Sequence, residues 1–488
     1  MVWQQSGLSR FGGCFRLLAS LSVLAMIIFT AACGSDNKQR LLELGDKMRA
    51  QGRFPEAVIF YRKAISKDAK YGEAYFRLGQ TLLDQKRGAA ALGSLRRASE
   101  LLEGNSEVDR LLGGLYRQAY FSDPVRNKPL LGDLSSLSQR LLTKNRRSFE
   151  GLRMKGYVHQ AKNEMPEAIE ALELANQIQP GDIELTLALG QSYVMAQKIP
   201  NAEQLIQGAL AKDKKVPQYY DFLYRVKGFQ RQLDAAEEIL KSKVDNIPDV
   251  ATNYLELATH YYGMRKPEMM KATLERLVAD RKKFPEARQM VGDHYARFGN
   301  FEEAVKQYRA GASEEKNQRL VFEKKIVELL SIQGKTAEAT KEADELLKTH
   351  ADDAELRALR ATLRLQTGQG KDIELATNEF VSVLSKLPNN PVVRYNLGEA
   401  YLANKKWDEA EAQFIEAIAL RTKAEGAQSA RTRTGVIYPA ATLALSRVYL
   451  NRKEFVKAKQ NATDYLAVAP NDLRARMVRI TANMGLKD

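Results

Sequence analysis

The chain has 488 residues, a formal charge of +15 and two cysteines. A leader carrying Cys14, Arg10 and Arg16 would take that charge from +15 to +13 on removal and leave Cys33 alone, which excludes an internal disulfide framework. A basic balance of this size favours an acidic or anionic partner. At the front, Arg10 and Arg16 flank an apolar run, Leu17–Ala32, that ends in small residues. That run is shorter than the roughly 20 residues a spanning helix needs, so residues 1–32 read as a secretory signal peptide.

The junction Thr30-Ala31-Ala32-Cys33-Gly34 resembles the bacterial lipoprotein signal, departing from its commonest form at Thr30. The resemblance implies that Cys33 becomes a lipidated N-terminus and that residues 33–37 form a short tether. Gly34 in place of Asp implies sorting to the outer membrane, so the expected location is the bacterial cell envelope, lipid-anchored and facing the periplasm. In that compartment nucleic acid is not an expected partner, whereas anionic polysaccharide and acidic proteins are.

From Lys38 onward the sequence repeats every 34 residues. Gly45 and Ala57, Gly79 and Ala91, Gly156 and Ala168, Gly190 and Ala202, Gly292 and Ala304, Gly398 and Ala410 occupy the same two positions, twelve apart. The register starts at Lys38, Gly72, Ser106, Phe149, Ile183, Pro217, Ala251, Pro285, Leu320, Ala354, Pro391 and Pro439, so about twelve units fill residues 38–470. Apolar residues at positions 4, 7 and 11, such as Tyr254, Leu257 and Tyr261, make one face of a first helix. Alanine, a large apolar residue and often alanine at positions 20, 24 and 27, such as Ala57, Tyr61 and Ala64, predict a second helix. Small residues at positions 8 and 20 predict close approach of the two, Gly190 among them. Gly52 and Gly299 mark the intervening turn, and Pro180, Pro248, Pro388 and Pro470 close the second helix. The expected irregularities are an insertion around Tyr120–Gly132, extra residues near Gly368–Gly370 and a long turn over Arg421–Val436. In residues 471–488 a last amphipathic helix over Asn471–Met484 is expected to cap the open end.

This pattern resembles the tetratricopeptide repeat over nearly the whole mature chain. The resemblance implies an all-α, right-handed superhelical solenoid of about twelve helix-turn-helix units, acting as a scaffold or adaptor for protein partners. It further implies that positions 2, 5, 9, 12 and 13 of the first helices line a concave groove. Carried onto this chain, those positions give a protein-binding groove of Tyr157, Met195, Arg225, Phe229, Leu255 and Tyr262, with Arg153, Leu187, Val194 and Asp221 beside them. Position 9 is never Asn, so a clamp for chaperone tails is not expected.

Residues that would carry chemistry are sparse. The four histidines, His159, His260, His294 and His350, have neither an HExxH spacing nor cysteine partners. No catalytic, metal or cofactor site is therefore expected, and the histidines read as structural. Carboxylates such as Glu237 and Glu238, ahead of Lys241, read as members of solvated helix faces. One charge pattern does stand out. Lys67 and Lys70, then Lys144, Arg146 and Arg147, then Lys212, Lys214 and Lys215, then Arg281, Lys282 and Lys283 fall in equivalent loops. They define a basic rim, and with it an alternative reading as a binder of anionic envelope polymer.

Overall fold

The structure is a computed structural model that describes residues 38–425 and 438–487. The leader 1–32, Cys33 and the tether 33–37 lie outside these residues. Contacts divide the chain into two compact halves, the first closing at Pro248 and the second opening at Asp249.

The first half begins with α1 (38–50), α2 (Phe54–Lys67), α3 (Gly72–Asp84), α4 (Gly88–Leu101), α5 (Ser106–Ser122) and α6 (Lys128–Lys144). It continues with α7 (Phe149–Ala161), α8 (Met165–Ile178), α9 (Ile183–Met195), α10 (Ile199–Lys212), α11 (Pro217–Phe229) and α12 (Leu233–Asn246). The second half begins with α13 (Ala251–Gly263), α14 (Pro267–Ala279), α15 (Ala287–Arg297), α16 (Phe301–Glu314), α17 (Arg319–Ile332) and α18 (Thr336–Thr349). It ends with α19 (Ala354–Thr367), α20 (Gly370–Lys386), α21 (Pro391–Ala403), α22 (Trp407–Glu425), α23 (Pro439–Asn451), α24 (Phe455–Val468) and α25 (Leu473–Leu486). Among the described residues there are thus twenty-five α-helices and no strand, and the fold is an all-α helical-repeat solenoid. Within each half the helices pair in hairpins, and first helices also touch first helices, as in α5–α7–α9–α11 and α17–α19–α21–α23–α25.

Two local devices repeat with the register. The turn residue at position 15 is left-handed in eleven of the twelve repeats, with φ between +55° and +77°. Glycine holds it only at Gly52, Gly299, Gly334 and Gly368; elsewhere it is Lys86, Asn163, Gln197, Arg231, Arg265, Lys405 or Lys453. A 6→1 bond fixes the turn, as from the Arg87 N–H to the Leu82 carbonyl at 2.8 Å and the Lys406 N–H to Tyr401 at 2.9 Å. This is a Schellman closure, and it satisfies carbonyls the first helix would otherwise leave open. Side chains at the residue before a first helix close its other end: Asp182, Asp353 and Ser148 accept from the N–H groups of Leu185, Leu356 and Gly151 at 2.7, 2.8 and 3.1 Å.

The second device is the close contact inside each hairpin. A Cβ at Gly45, Gly79, Gly156, Gly292 or Gly398 would lie 2.3–2.6 Å from the side chain of Tyr61, Leu95, Leu172, Tyr308 or Phe414 respectively. The glycine at position 8 therefore makes room for the large residue at position 24, while the alanine at position 20 is wholly buried. Gly190 is looser than expected, since its nearest neighbour is a ring carbon of Phe222 in the next repeat at 3.0 Å. In two repeats the large residue is tyrosine, and its hydroxyl donates to the position-9 carboxylate: Tyr61 to Asp46 at 2.7 Å and Tyr308 to Asp293 at 2.6 Å.

Several sequence expectations are refined. The insertion around Tyr120–Gly132 is taken up in helix: α5 and α6 run to 17 residues each, with only residues 123–127 between them. The turn expected from Arg421 begins later, because α22 runs on to Glu425, and residues 426–437 lie outside the described residues. Not all carboxylates are solvated: Glu237 is buried beside Lys241 at 2.8 Å, and Glu379 is buried under Arg357, Arg360 and Arg364, three cations on one face of α19. Finally, α25 packs Ala475, Val478 and Ala482 inward against the preceding helices but turns Leu473, Met477, Ile480 and Met484 outward, so its outer face is apolar.

Candidate functional site

In the first half, the groove positions of three successive first helices meet. Arg117 on α5, Glu150, Arg153 and Tyr157 on α7, and Glu184 on α9 form one network. Arg117 reaches over α7 to Glu184 at 2.5 Å, and Arg153 holds Glu150 at 2.5 Å and Glu184 at 3.4 Å. The guanidinium groups of Arg117 and Arg153 lie 4.9 and 6.0 Å from the Tyr157 ring centroid, within cation–π range. Tyr157 is only 1% exposed, so the expectation of an open groove residue is corrected: the two arginines cover it. Burial pushes its hydroxyl well above the ordinary tyrosine range, and that hydroxyl has no hydrogen-bond partner among the described residues. Burial also raises Glu150, against the pull of Arg153.

Further along this half the groove positions open. Leu187 and Val194 pack at the edge of a cluster built on Phe222, Leu223 and Val226, and Asp221 is taken up by Lys243 at 2.5 Å. Met195, Arg225 and Phe229 instead point outward from the last turns of α9 and α11. Phe229 is 71% exposed.

In the second half, Leu255 is half-buried on α13 and Tyr262 is exposed at its end. Tyr262 is not isolated. Its ring lies 4.3 Å from that of Phe298, just past α15, and Phe298 lies 4.8 Å from the His294 ring. A ring nitrogen of His294 stands 3.2 Å from the Thr259 hydroxyl. Burial, helped by Arg297, pulls His294 down to about 4, so it is neutral at pH 7. The aromatic platform of Tyr262, Phe298 and His294 was only partly readable, because Phe298 falls past the 4–7–11 apolar stripe of its helix.

The basic clusters are on the surface, but they are not equally free. Arg281 and Lys283 are engaged by Glu314 and Asp249, both at 2.7 Å, and Lys144 lies 3.9 Å from Glu103. Among the described residues, Arg146, Arg147, Lys212, Lys214, Lys215 and Lys282 are exposed without an ion pair. A cavity of about 510 Å³ between α6 and α7 gathers Arg146, Lys155 and Lys162 with Ser135 and Thr143, and His159 on its wall is bonded to Glu164 at 2.6 Å. Among the described residues, no group of three or more His, Cys, Asp or Glu side chains is placed to hold a metal ion. Nor is any described helix long and apolar enough to cross a membrane.

Two segments, residues 48–115 and 369–434, match the family model of the tetratricopeptide repeat, one in each half. Those two segments carry the tetratricopeptide repeat. Among curated proteins none matches the sequence. Similar solved structures include MamA, 26% identical over 35% of this chain and 95% of that one, with a TM-score of 0.29. A thermophilic TPR protein of Thermus thermophilus is 18% identical over 46% of this chain and 99% of its own, with a TM-score of 0.27. Yeast Tom70 is 16% identical over 87% and 92%, with a TM-score of 0.32. Overlays this loose carry no partner or activity across to the present chain. Tetratricopeptide-repeat proteins bind protein partners, and their fold is typically a non-catalytic interaction scaffold.

Proposed function

We propose that this protein is a lipid-anchored adaptor of a bacterial cell envelope. In this reading Cys33 carries the lipid, the repeats face the periplasm from the outer membrane, and protein partners of an assembly, secretion or exopolysaccharide machine dock on the first helices. The observation that carries the docking surface is Phe229, an aromatic ring open to solvent beside Arg225 on α11, since aromatics and Arg dominate interface energetics. The leader and the Ala32-Cys33-Gly34 junction support the anchor.

The test compares wild type with Cys33→Ser and Phe229→Ala in cells. Cys33→Ser should lose lipid labelling and move to the soluble fraction; retained label would overturn the anchor. Phe229→Ala should keep helicity and melting while crosslinked partners drop about tenfold or more. Melting that falls with no loss of partner would instead make Phe229 structural.

A second reading has its own observation: Arg146, Lys155 and Lys162, without ion pairs among the described residues, surround the cavity on α6 and α7 and suit an anionic envelope polymer. Binding through them would collapse with added salt, as exposed charges are screened within about 10 Å at 0.1 M. Docking at Phe229 would largely survive.

A further inference from the structure

Among the helices of the second half, α25 stands apart in how it treats its apolar residues. By register it is a first helix: Leu473 follows Pro439 by 34 residues, and Lys487, at the turn position, has φ +59° like the turn residues of the hairpins before it. Its inner face, Ala475, Val478 and Ala482, is buried against α24 and α23. Its outer face carries Leu473, Met477, Ile480 and Met484 at i, i+4, i+7 and i+11, a single stripe along the helix. Each of the four is between 51% and 73% exposed.

The preceding repeat shows what normally covers these positions. Thirty-four residues before Met477 and Ile480 stand Leu443 and Ser446, both buried. Leu443 lies in one cluster with Ala462, Tyr465 and Leu466 of α24 and Ala475 and Val478 of α25. Among the described residues, the face that α23 fills with following helices is open on α25, and its shape is that of a helix seat. Unbranched methionine at two of the four positions suits a surface that must mould to an incoming side-chain pattern.

Charge narrows the occupant. Residues 473–487 include Arg474, Arg476, Arg479 and Lys487 and no carboxylate; Asp472, just before them, pairs with Arg474 at 2.8 Å and leaves Arg476 and Arg479 as the cations beside the stripe. A second copy docking α25 on α25 would line the edges of the stripe with cations alone. A second copy stacking head to tail would bring up α1, whose solvent side is Gln39, Arg40, Glu43 and Lys47, a polar face. We propose that the outer face of α25 is a docking surface for an amphipathic helix of a partner protein, with an apolar stripe bordered by Asp or Glu, which extends the stack in trans. The occupant is read from the seat itself and does not depend on the groove at Phe229.

The test uses the full chain and two synthetic helical peptides of the same leucine stripe, one flanked by Glu and one by Lys, titrated by fluorescence anisotropy. The Glu-flanked peptide should bind saturably, and Met477→Ser/Ile480→Ser should weaken it at least about tenfold with unchanged circular dichroism and melting. Arg476→Glu/Arg479→Glu should reverse the preference between peptides. Three results would overturn the proposal: neither peptide binding, equal binding of both, or equal binding by wild type and the serine variant. So would a wild-type dimer in sedimentation that the serine variant abolishes, which gives the face to a second copy. Binding to anionic vesicles that the serine variant loses, with no peptide binding, would give it to a lipid surface.

Discussion

His294 on α15 is buried against Phe298 and near Thr259, and it stays neutral down to about pH 4. An unfolded histidine takes its proton near 6.5. Between those values the unfolded chain binds the proton and the folded chain does not, so stability falls as pH falls. The contribution is fully present above pH 6.5 and is lost toward pH 4, amounting to roughly 3 kcal/mol. Chemical denaturation at pH 7.5 and 4.5 should show a smaller acid loss in His294→Gln than in wild type. Equal losses would mean that the ring is solvated. Tyr157 gives the complementary lesson about what single residues reveal. Its position marked it for the groove, and nothing nearby in sequence betrays that Arg117, forty residues earlier, folds over its ring. Phe229 and Met195, at the ends of their helices with no such cover, were readable from position alone.

Within a hairpin, the contact between position 8 and position 24 sets the separation of the helices. Gly398 lies against Phe414, where a Cβ would come within 2.6 Å of a fully buried ring. Gly398→Ala should therefore cost about 1–3 kcal/mol by overpacking, read as a lower denaturation midpoint. Gly190→Ala should cost less, because the nearest atom is the tip of Phe222 at 3.0 Å. If the two variants lose equal stability, the facing side chain does not set the cost of a Cβ at position 8, since helix propensity alone would favour alanine. The helices themselves were legible because small and large residues recur in phase, a signal in side-chain volume. The left-handed turn was legible only at glycines such as Gly52 and Gly299; elsewhere lysine, arginine and glutamine take it, and a backbone angle leaves no trace in hydropathy. The insertion in the third unit was legible as extra residues, but not as longer helices; Pro129 is compatible with them because it sits in the first turn of α6, where proline is tolerated.

The array as a whole is additive to the extent that each repeat touches its neighbours. Removing residues 72–105, the second repeat with α3 and α4, joins α2 to α5 across a seam of the same kind. The shortened protein should remain helical per residue and melt cooperatively; loss of helicity beyond the deleted segment would show that this repeat is indispensable to its surroundings. The ends of the described array differ, polar at α1, where Arg40, Glu43 and Lys47 are exposed, and apolar at α25.

The bond from Arg117 to Glu184 breaks that additivity at one place. It spans from the third repeat to the fifth, passing over α7, whose own Arg153 shares the same carboxylate. To loosen α7, the chain must part both flanking helices, not one. Hydrogen exchange should reflect this: amides of α7 should be the slowest in the first half, and Glu184→Gln should bring them down to the rate of α9. Such a bracket makes the middle of this half a stiff node, and opening events that begin at either end would stop there.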